Sequence, residues 1–214
     1  MAIIEKIRRR AAETEGLYSK LHGEYRASFL SGAVTLAAAA TTTAGHMMVM
    51  RVPTAVTKKA IIRYVGCELA TVTAMGAQQP LGLDLIVARA FTAVYTGGTA
   101  IDMFTITGSQ KVRANQDLTL FTVNNVRMCT TAGLTAGTQT LDSQAFSRKM
   151  FLSPVLGEVA RVDLLDARDD GAQTHRSPII LGAEEGIVVR NVILMGATGV
   201  FNLIINVEWD EVTV

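Results

Sequence analysis

"VFNLIINVEWDEV" (Val200–Val212) is the stretch whose pattern decides how this chain folds. Phe201, Leu203, Ile205, Val207 and Trp209 fall on one side of an extended backbone, and Asn202, Asn206, Glu208 and Asp210 on the other. Only Ile204 interrupts the alternation. Successive side chains of a strand point to opposite faces, so this spacing predicts a strand with one face in a core and the other solvated.

Upstream, the same character holds back to Gly32. Runs rich in Val, Ile, Thr and Ala follow one another, broken by glycines and by only four prolines. Strand candidates are "HMMVMRV", "AIIRYVGCELATVTA", "LDLIVARAFTAVY", "TAIDMFTIT", "LTLFTVNNVRMCT", "EVARVDLLDA" and "GIVVRNVILM". Gly97-Gly98, between two such runs, is a hairpin signal. "TTAGLTAGTQT" (Thr130–Thr140) reads as an exposed loop of low complexity. Many strands, short connections and no alternating long helices predict an all-β body, an antiparallel sandwich over residues 31–214.

Residues 1–30 differ. Ile3, Ile7, Ala11, Tyr18 and Leu21 recur at steps of three, four or seven, which predicts an amphipathic helix from residue 2 to about 22. The expectation is an N-terminal helical arm ahead of the sandwich. Its apolar side carries Ile3, Ile4, Ile7 and Tyr18. Arg8, Arg9 and Arg10 form a dense basic cluster, with Glu5, Glu13 and Glu15 neutralising much of the field and no aromatic stacking platform beside it. That balance favours a solvated helix face, or docking to acids on a partner protein, over binding nucleic acid. All seven residues are candidate partner contacts.

Composition narrows the classes further. The 214 residues are 49% hydrophobic and only 18% charged, against about 25% charged in an ordinary soluble domain. So apolar a surface predicts a homo-oligomer, a dimer or trimer. Net charge is +1, which gives no field toward nucleic acid or an anionic membrane. The charged start lacks the apolar stretch of a secretion signal, and "AVTLAAAATTTAG" is too short to span a bilayer, so synthesis in a reducing cytosol is expected. Cys67 and Cys129 form no disulfide framework or zinc spacing and read as small buried hydrophobes.

No reaction is spelled out. The "LGAEEGIVVRN" corner (Leu181–Asn191) has two glycines, but Glu184 and Glu185 would repel a phosphate and a strand follows. Gly182 and Gly186 are expected to supply the left-handed conformations of a tight turn. "DARDDG" has Arg168 at the third position of a would-be calcium loop and Ser177 at the twelfth, so two ligands are missing. His22, His46 and His175 are too scattered for a metal cluster, and there is no Gly-x-Ser-x-Gly elbow. A non-enzymatic chain without metal or cofactor is the expectation.

Taken together, "SPIILGAEEGIVVRNVILMGATGVFNLIINVEWDEV" (Ser177–Val212) resembles the C-terminal strands of tailed-bacteriophage virion proteins, capsid cement (head decoration) proteins among them. The shared features are a proline-started apolar strand, a Gly-acid-Gly corner, "GIVVRN", a Gly-rich turn and a strand ending acid-Trp-acid. The resemblance implies a jelly-roll-like sandwich sitting as dimers or trimers on the capsid surface of a virion, with the major capsid protein as partner. A tail or connector component and a carbohydrate- or receptor-binding sandwich are the alternatives. The 6% aromatic content argues against the latter.

Overall fold

A computed structural model describes residues 22–35, 45–75, 77–93, 95–103, 118–135, 137–168, 177–193 and 199–213. They form β1 (His22–Leu30), β2 (His46–Arg51), β3 (Lys58–Thr73), β4 (Pro80–Ala93), β5 (Thr99–Ala100) and β6 (Val126–Met128). Then come β7 (Thr138–Leu141), β8 (Ser147–Leu152), β9 (Val159–Asp166), β10 (Ile179–Leu181), β11 (Gly186–Asn191) and β12 (Val200–Thr213). One antiparallel sheet runs β1-β12-β3-β10, with β9 also on β3; the other runs β5-β6-β2-β11-β4-β7, with β8 also on β4.

The alternation of β12 sets the core. Phe201, Leu203, Ile205, Val207 and Trp209 are all buried. They share one cluster with Tyr25 and Phe29 of β1 and Ile62, Cys67 and Leu69 of β3. Met48 and Met50 of β2, Leu83 and Leu85 of β4, and Ile187 and Val189 of β11 complete it from the facing sheet. Two apolar faces closing on one another make a sandwich-like arrangement.

The central strands of the second sheet, β2, β11 and most of β4, are buried on both sides. Val49, Ile86, Ala88 and Val188, on its outer face, form a separate cluster under Phe91, Tyr95 and Leu134. This explains why "HMMVMR" reads as an unbroken apolar run: every residue of β2 is buried, so nothing in its setting selects alternation.

Several expectations need correction. The sequence boundary at residue 30 is displaced, because His22–Leu30 is a strand paired with β12 from His22↔Val212 to Leu30↔Ile204. Tyr25, Ala27 and Phe29 alternate into the core, a period of two masked by the helical pattern ahead of it. Gly97 and Gly98 do take positive φ, 72° and 57°, but among the described residues they join no hairpin. β5 pairs with β6 instead, and Thr96 bridges Thr135. The presumed loop Thr130–Thr140 is partly inside: Leu134 caps the second cluster, and β7 starts at Thr138.

"LTLFTVNNVRMCT" yields a strand only at Val126–Met128. Upstream of it the backbone N–H of Leu120 goes to the Glu211 carboxylate, at 2.9 and 3.1 Å, instead of to a ladder. The outer side of β12 is also less solvated than its pattern implies. Asp210 is buried and ion-paired with Arg63, and Glu208 meets Arg168 at 3.7 Å.

At the Leu181–Asn191 corner the turn is present, but the left-handed residue is Glu184, at φ 60°. Gly186 serves a close approach, since a Cβ there would lie 2.6 Å from the Met50 carbonyl oxygen. The corner staples three strands together. Val52 N donates to Glu185 O and Phe91 N to Glu184 O, both at 2.8 Å, and Glu184 N donates to Val52 O at 3.2 Å. Those amides are therefore committed within the fold.

Candidate functional site

Among the described residues, the groups most capable of chemistry are held in structural roles, whereas His175 and the His22 side chain lie outside what is described. His46 is buried, and its Nδ1 lies 2.7 Å from the Tyr95 hydroxyl. Burial, helped by the positive charge of Arg190, pulls its pKa down to about 4. The neutral ring shares a hydrogen bond with Tyr95, whose oxygen accepts from Gln139 Nε2 at 2.9 Å. Cys67 and Cys129 are free, buried thiols. Burial raises both, that of Cys129 to about 12, so neither is a ready nucleophile. Asp166 chelates Arg168, with Oδ1 and Oδ2 at 2.9 and 2.8 Å from the guanidinium; the remaining acids of "DARDDG" lie outside the described residues. Among the described residues no three of His, Cys, Asp or Glu are placed to hold a metal.

The outer face of the first sheet is a polar mosaic. Gly66 leaves room for the Tyr64 side chain, whose hydroxyl would collide with a Cβ at that position. That hydroxyl donates to Asp163 at 2.6 Å and accepts from Arg161 at 3.0 Å. The Arg168 guanidinium lies 3.8 Å from the Tyr64 ring centroid. Two shallow grooves, of about 350 and 250 Å³, share Arg26, Arg168 and Glu208. Arg161 and Arg168 are each matched to acids on the same face, so the mosaic supplies little net charge to attract an anion.

The other candidate surface is apolar. Among the described residues β8 pairs only with β4 and β9 only with β3, so each is an edge strand of its sheet as described. The chain crosses between them through Ser153–Glu158. Met150, Leu152, Val155, Leu156 and Val159 are 67, 58, 47, 60 and 61% exposed. The crossing is held in place: Thr71 Oγ1 donates to Pro154 O at 2.7 Å, and Gln79 N donates to Ser153 Oγ at 2.9 Å. A run of exposed apolar side chains on a pinned crossover, beside two open sheet edges, is a surface built for contact.

Ile3, Ile4, Ile7, Arg8, Arg9, Arg10 and Tyr18 lie outside the described residues. The apolar crossover was missed from sequence, although "MFLSPVLGEV" carries the signal: a dense apolar run kinked by Pro154 and Gly157. Nothing local distinguishes such a run from a core strand. No protein-family model and no curated protein matches this chain.

Proposed function

We propose that this chain is a non-enzymatic virion structural protein, a capsid cement protein that binds the assembled head and bridges its subunits. The observation that carries the reading is the exposed apolar crossover from Met150 to Val159 between two open sheet edges. A cement protein needs repeated contact area more than an active site, and weak contacts suffice where lattice symmetry links many of them. Binding only the assembled shell stabilises the shell by mass action.

The finer fold reading is a jelly roll. Its support is the winding: β1, β3, β10 and β12 lie in one sheet and β2, β4, β8 and β11 in the other. With β5, β6 and β7 set aside as additions, we read the order β1-β12-β3-β10 opposite β2-β11-β4-β8 as two interleaved Greek keys. The same strand order serves viral capsid and lectin domains, so the fold alone does not choose between cement and receptor binding. Against sugar binding, Trp209, Tyr25 and Tyr95 are core residues and unavailable for stacking.

Residues upstream of β1 act in this reading as an anchor. Among the described residues β1 pairs only with β12, and the segment that precedes it in sequence bears Ile3, Ile4, Ile7, Arg8, Arg9, Arg10 and Tyr18. It docks on the major capsid protein or on a second copy of the chain in a dimer or trimer.

The test is cosedimentation with native shells of the full chain, a chain lacking residues 2–21, and a Leu156→Asp/Val159→Asp variant. Attachment by the full chain, and its loss in either variant with an unchanged melting temperature, is the expected result. A full chain that ignores shells, or density for it confined to the tail in a virion reconstruction, overturns the cement reading.

A further inference from the structure

Arg51 ends β2 on the outer face of the second sheet, the side that carries Val49, and is only 8% exposed. Its guanidinium carbon lies 5.5 Å from the centroid of the Phe91 ring. Its Nε is sealed from solvent with no acceptor, whereas the two terminal nitrogens are not sealed. No hydrogen bond or ion pair reaches the group from the described residues.

Other arginines are treated differently. Arg63 has Asp210, Arg89 has Asp142 and Glu185, Arg148 and Arg190 share Asp84, and Arg168 has Asp166. The acids closest in sequence to its ladder partner Gly186 do not serve Arg51. Glu185 spends one oxygen on Arg89 and the other on Gly182 N, and Glu184 makes no ion pair with Arg51.

A guanidinium does not lose its proton at any ordinary pH, so burial cannot neutralise it. A buried, unpaired charge destabilises its fold unless a partner of opposite sign arrives. The Phe91 face offers some cation–π compensation and supports the planar fork from one side. What remains open is the edge of the fork that binds carboxylates in two parallel hydrogen bonds. A dianionic phosphate suits the place badly, with one cation and the Glu184–Glu185 corner adjoining.

We propose that Arg51 is a docking point for a carboxylate, the acidic side chain of a partner protein seated on this rim of the second sheet. The proposal is independent of the capsid assignment, because it rests on the unpaired buried charge alone. In it, Arg51 exchanges stability of the isolated chain for recognition.

The test compares the full-length wild type with Arg51→Met, which keeps the stem against Phe91, and with Arg51→Lys, which keeps the charge without the fork. Each is melted in chloride, in acetate, and in N-acetylglutamate amide, whose only carboxylate is that of a Glu side chain, at matched pH and ionic strength. The expected result is a saturable rise in wild-type melting temperature with both carboxylates. Arg51→Met should melt higher than the wild type in chloride and show no carboxylate response, and Arg51→Lys should respond weakly. Equal responses in wild type and Arg51→Met overturn the site. So does an Arg51→Met protein that melts lower than the wild type in chloride or does not fold, since the arginine is then structural. A response to acetate but none to the glutamate amide overturns the side-chain partner.

Discussion

Trp209 stacks on Tyr25 directly across the β1–β12 pairing, with ring centroids 5.5 Å apart and planes 15° from parallel. Phe121 closes on Trp209 edge-on at 5.6 Å and 85°. Aromatic pairs of this kind add about 0.5–1.5 kcal/mol beyond the area they bury. Tyr25→Ala is therefore expected to cost about 3–5 kcal/mol, read by denaturant unfolding with the single tryptophan as reporter. A cost below about 1 kcal/mol would place β1 outside the cooperative core.

The register of β12 makes a second, differential prediction. Leu203→Ala or Ile205→Ala should lose about 2–5 kcal/mol, the transfer term plus a cavity. Glu208→Gln, on the opposite face, removes only a half-exposed ion pair with Arg168 at 3.7 Å and should lose less than about 1 kcal/mol. Melting curves in the reverse order would refute the register.

His46 gives the fold a pH dependence of known sign. Its imidazole sits at about 4 in the folded chain against 6.5 when free, so between those values the unfolded chain binds the extra proton. Its contribution is complete above 6.5 and shrinks as pH falls toward 4. At about 1.4 kcal/mol per unit, the full swing is about 3 kcal/mol. Glu211 works the other way, because burial raises its pKa and its contribution declines as pH rises. The comparison to make is wild type against His46→Gln by urea unfolding from pH 7 to 4.5. The variant's curve should be the flatter on the acid side, and parallel curves would remove His46 as the source.

Glu211 is a buried carboxylate satisfied by its neighbours. It accepts from Thr119 Oγ1, from Leu120 N, and from Trp209 Nε1 at 3.1 Å, with Lys58 4.0 Å away. Glu211→Ala leaves three donors without an acceptor and should cost about 3–5 kcal/mol. Glu211→Gln keeps an acceptor oxygen and should cost less than half of that. Equal losses would show that packing, not hydrogen bonding, holds residues 118–121 in place.

The apolar crossover predicts self-association. The wild-type chain should sediment as a species larger than its 22.9 kDa monomer. Met150→Glu combined with Leu156→Glu should shift it to the monomer with little change in melting temperature, because both side chains are already in water. A wild type that stays monomeric at high concentration would remove this surface as a self-interface.

Local pattern decided a good deal. The period of two at Phe201–Trp209, the scarcity of helix signals after Gly32 and the turn at Glu184–Glu185 were all legible, because each depends on residues within a few positions of one another. What the pattern could not carry was partnership. Tyr25, Ala27 and Phe29 alternate as plainly as β12 does, yet only pairing with Val212–Ile204 makes them core instead of arm. The same holds for the surface residues. Met150 and Leu156 look like core from their neighbours in sequence, and Arg51 looks like any surface cation. Which side chains a fold covers, and which charges it leaves without a partner, depends on strands brought together from distant parts of the chain. Exposure and ion pairing are properties of that assembly, and the local hydrophobic period does not contain them.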